Sequence, residues 1–124
     1  MQDMPKSSEI VEVVSEFMRQ HVLPQLQGHT AFHALVAANA LDIVKRELAI
    51  APEANEAEKA RLEKLLGREG TLEELNRLLC ARIEAGDVTV ETPGLADHLW
   101  ETTLTKLAID QPKYSGYRRA KGEI

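Results

Sequence analysis

The stretch from Thr30 to Ile50, TAFHALVAANALDIVKRELAI, is the longest run of unbroken helical periodicity in the chain. At ~100° per residue its apolar arc takes in Phe32, Val36, Ala37, Ala40, Leu41, Ile43, Val44, Leu48 and Ile50, which is well over half the circumference. A helix at the surface of a globular protein is apolar over a narrower stripe, so this pattern predicts a central helix with neighbours on several sides. His33, Asn39 and Glu47 fall inside or at the edge of the arc. Polar residues in such places are either paired within the core or line a site.

The rest of the chain offers that helix its neighbours. Ser7 or Ser8 can cap a first helix ending near Val22, with Ile10, Val11, Val14, Phe17 and Met18 as its buried stripe and His21 on the same side. Pro24 ends it, and Gly28 turns the chain toward the central helix. Pro52 is expected to stop the central helix. A charged segment from Glu53 to Leu66 then reads as a peripheral helix with one thin apolar edge, Leu62, Leu65 and Leu66. The clearest start signal is Thr71-Leu72-Glu73-Glu74, a capping box opening a fourth helix to Ala85. Its apolar face carries Leu72, Leu75, Leu78, Leu79 and Ile83. The loop DVTVETPG contains only two alternating valines, too few for a sheet. A fifth helix runs from about Pro93 to before Pro112, with Leu95, Leu99, Trp100, Leu104 and Leu107 on one side and His98 facing away. The expected fold is all-α, a single-domain bundle of about five helices over residues 1–124. A loose arm at 1–7 and a basic surface tail at 113–124 complete it.

Composition limits function more than it indicates one. The 124 residues carry a net charge of −5, which argues against binding nucleic acid through overall charge. Lys113, Tyr114, Tyr117, Arg118, Arg119 and Lys121 interleave bases with aromatics, yet a solvated tail packed back on the bundle is the simpler reading. A single cysteine, Cys80, rules out an internal disulfide and reads as a buried structural thiol. No apolar run reaches the ~20 residues of a membrane span, and a cytoplasmic location is expected. His29 and His33 have the i, i+4 spacing of zinc ligands. They lack the Glu of the metalloprotease motif and a third ligand, so no metal and no cofactor is assigned. No nucleophile motif, phosphate loop or calcium loop is present.

The residues with most chemical content are the polar intrusions on apolar helix faces: Asn39, Glu47, Asn76, Arg82, Thr103, Lys106 and Asp110. His33 and Glu47 lie about 21 Å apart along one helix axis and cannot share a compact site. The expected pairs are Asn39 with Asn76, and Glu47 with Arg82, Lys106 or both. Such contacts could form a structural network that sets helix register. The alternative is an open cleft in which Glu47, Arg82, Lys106 and Asp110 hold a small charged ligand or perform acid/base chemistry.

Three phrases, FHALVAANAL at 32–41, ELNRLLCARI at 74–83 and TTLTKLAIDQPKY at 102–114, carry a family resemblance. Together they resemble a family of small, uncharacterised bacterial helical proteins often encoded beside aminoglycoside phosphotransferase-like kinases and acyl-CoA dehydrogenases. The resemblance runs from about Ser8 to Tyr114 and brings no assigned catalytic residues. It implies a non-catalytic accessory or protein-binding module in acyl-CoA or related catabolism. The expected partners are a second copy of the chain or an enzyme of those two classes.

Overall fold

The computed structural model describes residues 3–124. The fold is all-α, and no strand occurs among the described residues. Its helices are α1 (Ser7–Phe17), α2 (Gly28–Leu66), α3 (Leu72–Glu84), α4 (Leu95–Asp110) and α5 (Ser115–Ala120). A π-helical turn at Met18–Val22 and a 3-10 turn at Leu23–Gln25 continue from α1 to the corner before α2. The chain divides into two compact units, residues 1–51 and 52–124.

Five helices were expected, but not these five. Pro52 does not stop the central helix: it lies inside α2, which runs 39 residues. A proline inside a helix removes one hydrogen bond and costs roughly 3 kcal/mol. Pro52 and Leu48, whose carbonyl loses that bond, are both exposed, so water can replace the missing donor. The helix formers Ala51, Glu53, Ala54, Glu56 and Ala57 carry the chain through. The fifth helix, α5, lies in the tail that was expected to have no regular structure. At the start of α1, neither serine is the N-cap. Lys6 takes that position, and its backbone N–H donates to Glu9 Oε2 at 3.0 Å.

In residues 52–124 the core is aliphatic. Leu62 and Leu66 of α2, Leu75 and Leu79 of α3, Val88 of the following loop and Leu95 of α4 form one buried cluster, with Leu65, Leu72 and Leu78 packed against it. The segment expected to be peripheral therefore supplies the centre, because three leucines on one edge suffice when two other helices converge on that edge. Thr71 and Glu74 form the anticipated box: Thr71 Oγ1 accepts from the Glu74 N–H at 3.1 Å, and Glu74 Oε2 accepts from the Thr71 N–H at 3.0 Å. Val88 is buried and Val90 is 82% exposed, without forming a strand.

Residues 7–51 form a helical hairpin with a different interior. Its buried side chains are Ser15, Ala34 and Ala38. Of the stripe predicted to be the inner face of α1, Ile10, Val14 and Phe17 point outward, 42% to 55% exposed, with Val13 beside them at 63%, while Val11 and Met18 are half-buried. Nor is the 30–50 segment buried all round, since Phe32, Val36, Val44 and Leu48 are exposed as well. Helical periodicity correctly located these faces. It did not determine what covers them.

Candidate functional site

The polar centre of the hairpin is built on Asp42. Ser15 Oγ donates to Asp42 Oδ1 at 2.6 Å, and Arg19 Nη2 donates to Asp42 Oδ2 at 2.6 Å and to Asn39 Oδ1 at 2.8 Å. Ser15 and Arg19 are four apart in sequence, so one turn of helix brings both to the same carboxylate. Lys45 Nζ meets Glu12 Oε1 at 2.9 Å in a half-buried ion pair that extends the same seam. The hydrogen bond from Ser15 lowers the Asp42 pKa, burial opposes it, and the Arg19 and Arg46 charges lower it further. A carboxylate held below its ordinary range is a weak base, and Ser15 has no histidine to take its proton. The group therefore suits fixing helix register and gives no route to an activated nucleophile.

Asp42→Asn should separate these contributions. It keeps the shape but removes the charge that faces Arg19, in a pair whose side chains are 37% and 32% exposed. The expected loss is about 1 kcal/mol, at the low end for a charge-assisted bond because solvent screens the pair. Chemical denaturation followed by far-UV circular dichroism at pH 7 measures it. An unchanged midpoint would show that the contact does not contribute to register.

A second cluster, in residues 52–124, joins α2 to α4. Arg61 Nε donates to His98 Nδ1 at 3.2 Å, and Arg61 Nη2 donates to Thr102 Oγ1 at 3.3 Å. His98 was expected to face away, but it is only 3% exposed. Burial lowers its pKa, the Arg61 charge adds to the effect, and Glu58 opposes it. The neutral ring accepts at Nδ1 and so carries its proton on Nε2.

The residues singled out in the sequence have other employments. Asn39 is exposed and accepts from Arg19, while Asn76 Nδ2 donates to the Leu72 carbonyl of its own helix at 3.0 Å. Each amide therefore has a partner within its own unit, Asn39 on the neighbouring helical segment and Asn76 on its own helix. Arg82 Nη1 donates at 3.0 Å to the carbonyl of Leu66, the last residue of α2. Beside it, Gly67 sits at φ 67° and donates to Glu63 O at 2.9 Å. Both satisfy carbonyls left open at a helix end, so Arg82 fastens α3 to the terminus of α2. Thr103 Oγ1 donates back to Leu99 O at 2.8 Å. Glu47, Lys106 and Asp110 are exposed. Among the described residues, Arg82, Lys106 and Asp110 share no hydrogen bond or ion pair.

His33 and Cys80, expected inside, are exposed, as is His29. Among the described residues, no group of three His, Cys, Asp or Glu side chains is arranged to hold a metal ion. Open depressions on the surface of residues 52–124 include two of different character. One is polar, between Lys59, Glu63, Glu69, Gly70, Thr71 and Glu74; the other is apolar, along Val90, Leu95, Ala96, Leu99, Trp100 and Thr103. Thr71 and Glu74 of the polar one are engaged with each other in the capping box of α3.

Sequence reasoning missed Ser15, Arg19, Asp42, Arg61 and His98. The available signal was geometric. Ser15, Arg19, Glu12 and Ser8 form a polar row opposite the apolar stripe of α1, and only the assumption that apolar means inward set that row aside.

Residues 24–114 match the family described as Domain of unknown function (DUF6285). The chain belongs to that family. No curated protein and no solved structure matches it. The DUF6285 segment takes in α2, α3 and α4, so it includes both halves of the Arg61–His98 contact and the whole leucine core. It begins after α1, and Ile10, Val14 and Phe17 lie outside it. Among the described residues, no helix is long and apolar enough to cross a membrane.

Proposed function

We propose that this DUF6285 protein is a non-catalytic accessory module that docks on an enzyme through the outer stripe of α1. The observation that carries the reading is the exposure of Ile10 (49%), Val13 (63%), Val14 (42%) and Phe17 (55%) on a helix whose inner side is held by Ser15 and Arg19. Anchors at i, i+3, i+4 and i+7 on one helix suit insertion into an apolar groove of a partner. His21 extends the row, its ring centroid 5.8 Å from that of Phe17. The partner class comes from the resemblance carried by residues 32–41, 74–83 and 102–114. It is an acyl-CoA dehydrogenase or a phosphotransferase-like kinase, with the module acting in acyl-CoA or related catabolism.

Co-expression with each of those enzymes from the same source tests the proposal. The expected result is a stoichiometric complex with one of them, surviving size exclusion. Phe17→Asp should weaken it about 30-fold or more, as loss of a central aromatic anchor does. Phe17 is exposed, so the variant should retain its helicity by circular dichroism. Failure of both enzymes to associate at micromolar concentration would sink the reading.

A further inference from the structure

The outer face of α2 differs from the α1 stripe in one respect: it is chemically symmetric along its own length. At ~100° per residue, Phe32, Val36, Ala40, Val44 and Leu48 follow one i, i+4 row that winds across the side of α2 turned away from Ala38, with Phe32 and Leu48 on its two flanks. His33, Ala37, Ile43 and Glu47 lie within the same half of the wheel. Phe32 is 62% exposed, Val36 47%, Val44 41% and Leu48 41%, and His33, Ala37, Ala40 and Glu47 are exposed with them. Counting outward from Ala40, Val36 is matched by Val44, Phe32 by Leu48, Ala37 by Ile43 and His33 by Glu47. An antiparallel copy of the helix would thus meet apolar residues with apolar residues and each histidine with a carboxylate.

We infer that this face is a self-association surface, on which two copies of the chain pack α2 against α2 about a two-fold axis at Ala40. A two-fold axis requires a patch complementary to itself, and this row satisfies that requirement residue by residue. A shallow antiparallel crossing sets His33 of one copy beside Glu47 of the other, and Ala40, the smallest side chain in the row, occupies the point where the axes approach most closely. His33 and Glu47 add pairing that favours antiparallel over parallel alignment, since a parallel pair would set Glu47 beside Glu47. The inference does not rest on the enzyme-docking role of α1, which uses a different face.

Sedimentation equilibrium of the full chain, with variants on α2, tests it. The wild type should be dimeric at micromolar concentration. Ala40→Arg should raise the dissociation constant about 100-fold by placing two guanidinium groups at the axis. Glu47→Lys should raise it about tenfold, and adding His33→Glu should return it to within about threefold by restoring the opposite charges in reverse. Circular dichroism should remain unchanged in all three, because the altered residues are exposed. Register is read by oxidative cross-linking in a Cys80→Ser background. Ala40→Cys should cross-link alone, and Val36→Cys should cross-link with Val44→Cys on mixing but with neither itself. A wild type that remains monomeric to ~100 μM, well above ordinary dimer affinities, would overturn the inference. So would a dimer that Ala40→Arg does not weaken, or one in which Val36→Cys cross-links to itself.

Discussion

Replacing Leu62 by alanine is expected to lower the stability of residues 52–124 by about 3 kcal/mol or more. Leu62 is 0% exposed and touches the cluster formed by Leu66, Leu75, Leu79, Val88 and Leu95. Buried leucine truncations cost about 2–5 kcal/mol, through lost transfer energy plus the void that remains. A site held from three helices cannot collapse without shifting one of them, which favours the middle or top of that range. The readout is built in. Trp100 is the single tryptophan and lies on α4, so its fluorescence during urea denaturation reports this unit. Leu65→Ala, at a half-buried neighbour, should cost less. Equal losses at the two positions would contradict the assignment of Leu62 to the centre.

The second large effect is expected at His98. Truncation to alanine opens a void and deprives Arg61 Nε of its acceptor in a partly buried place, so a loss of about 2–3 kcal/mol is expected. Glutamine can offer an oxygen to Arg61 and should cost less. The pH dependence distinguishes the chemistry from the packing. The His98 pKa is lowered by burial and by Arg61, so folding favours the neutral ring. A depressed folded pKa means that this contribution is fully present above the unfolded value of ~6.5 and is lost as pH falls through the folded value. Protonation would also place an N–H on Nδ1, directly facing the Arg61 donor. Stability followed by Trp100 should therefore decline between pH 7 and pH 5 in the wild type, and His98→Gln should remove the part of that decline due to one histidine. A wild-type and His98→Gln pair with parallel profiles would refute the coupling.

His98 also shows why part of the chemistry was hard to read. On a wheel for α4 it belongs to the polar side with Asp97 and Glu101, and nothing in α4 alone announces a partner. That partner, Arg61, stands 37 residues earlier on a segment whose composition looks peripheral. Arg82 illustrates the converse. Its place on an apolar face was legible, but its employment at the Leu66 carbonyl depended on where α2 ends. The prediction of a stop at Pro52 rested on a cost of a few kcal/mol, and strong helix formers on both sides outweighed it on the solvent face.

Local physics was largely in the residues themselves. The all-helical class, the Thr71–Glu74 box, the lack of a strand at Val88 and Val90, and the apolar rows of α1 and α2 all follow from spacing. These depend on interactions within four residues. Which rows face inward was decided only by tertiary structure. Ser15 of α1 and Arg19 of the turn after it hold Asp42 of α2 with short bonds, and Ala34 and Ala38 allow the backbones to approach, so the polar side of α1 turned in and Val13, Val14 and Phe17 turned out. Apolar periodicity measures how much a face gains from leaving water. It does not specify whether the cover comes from the same chain or from another.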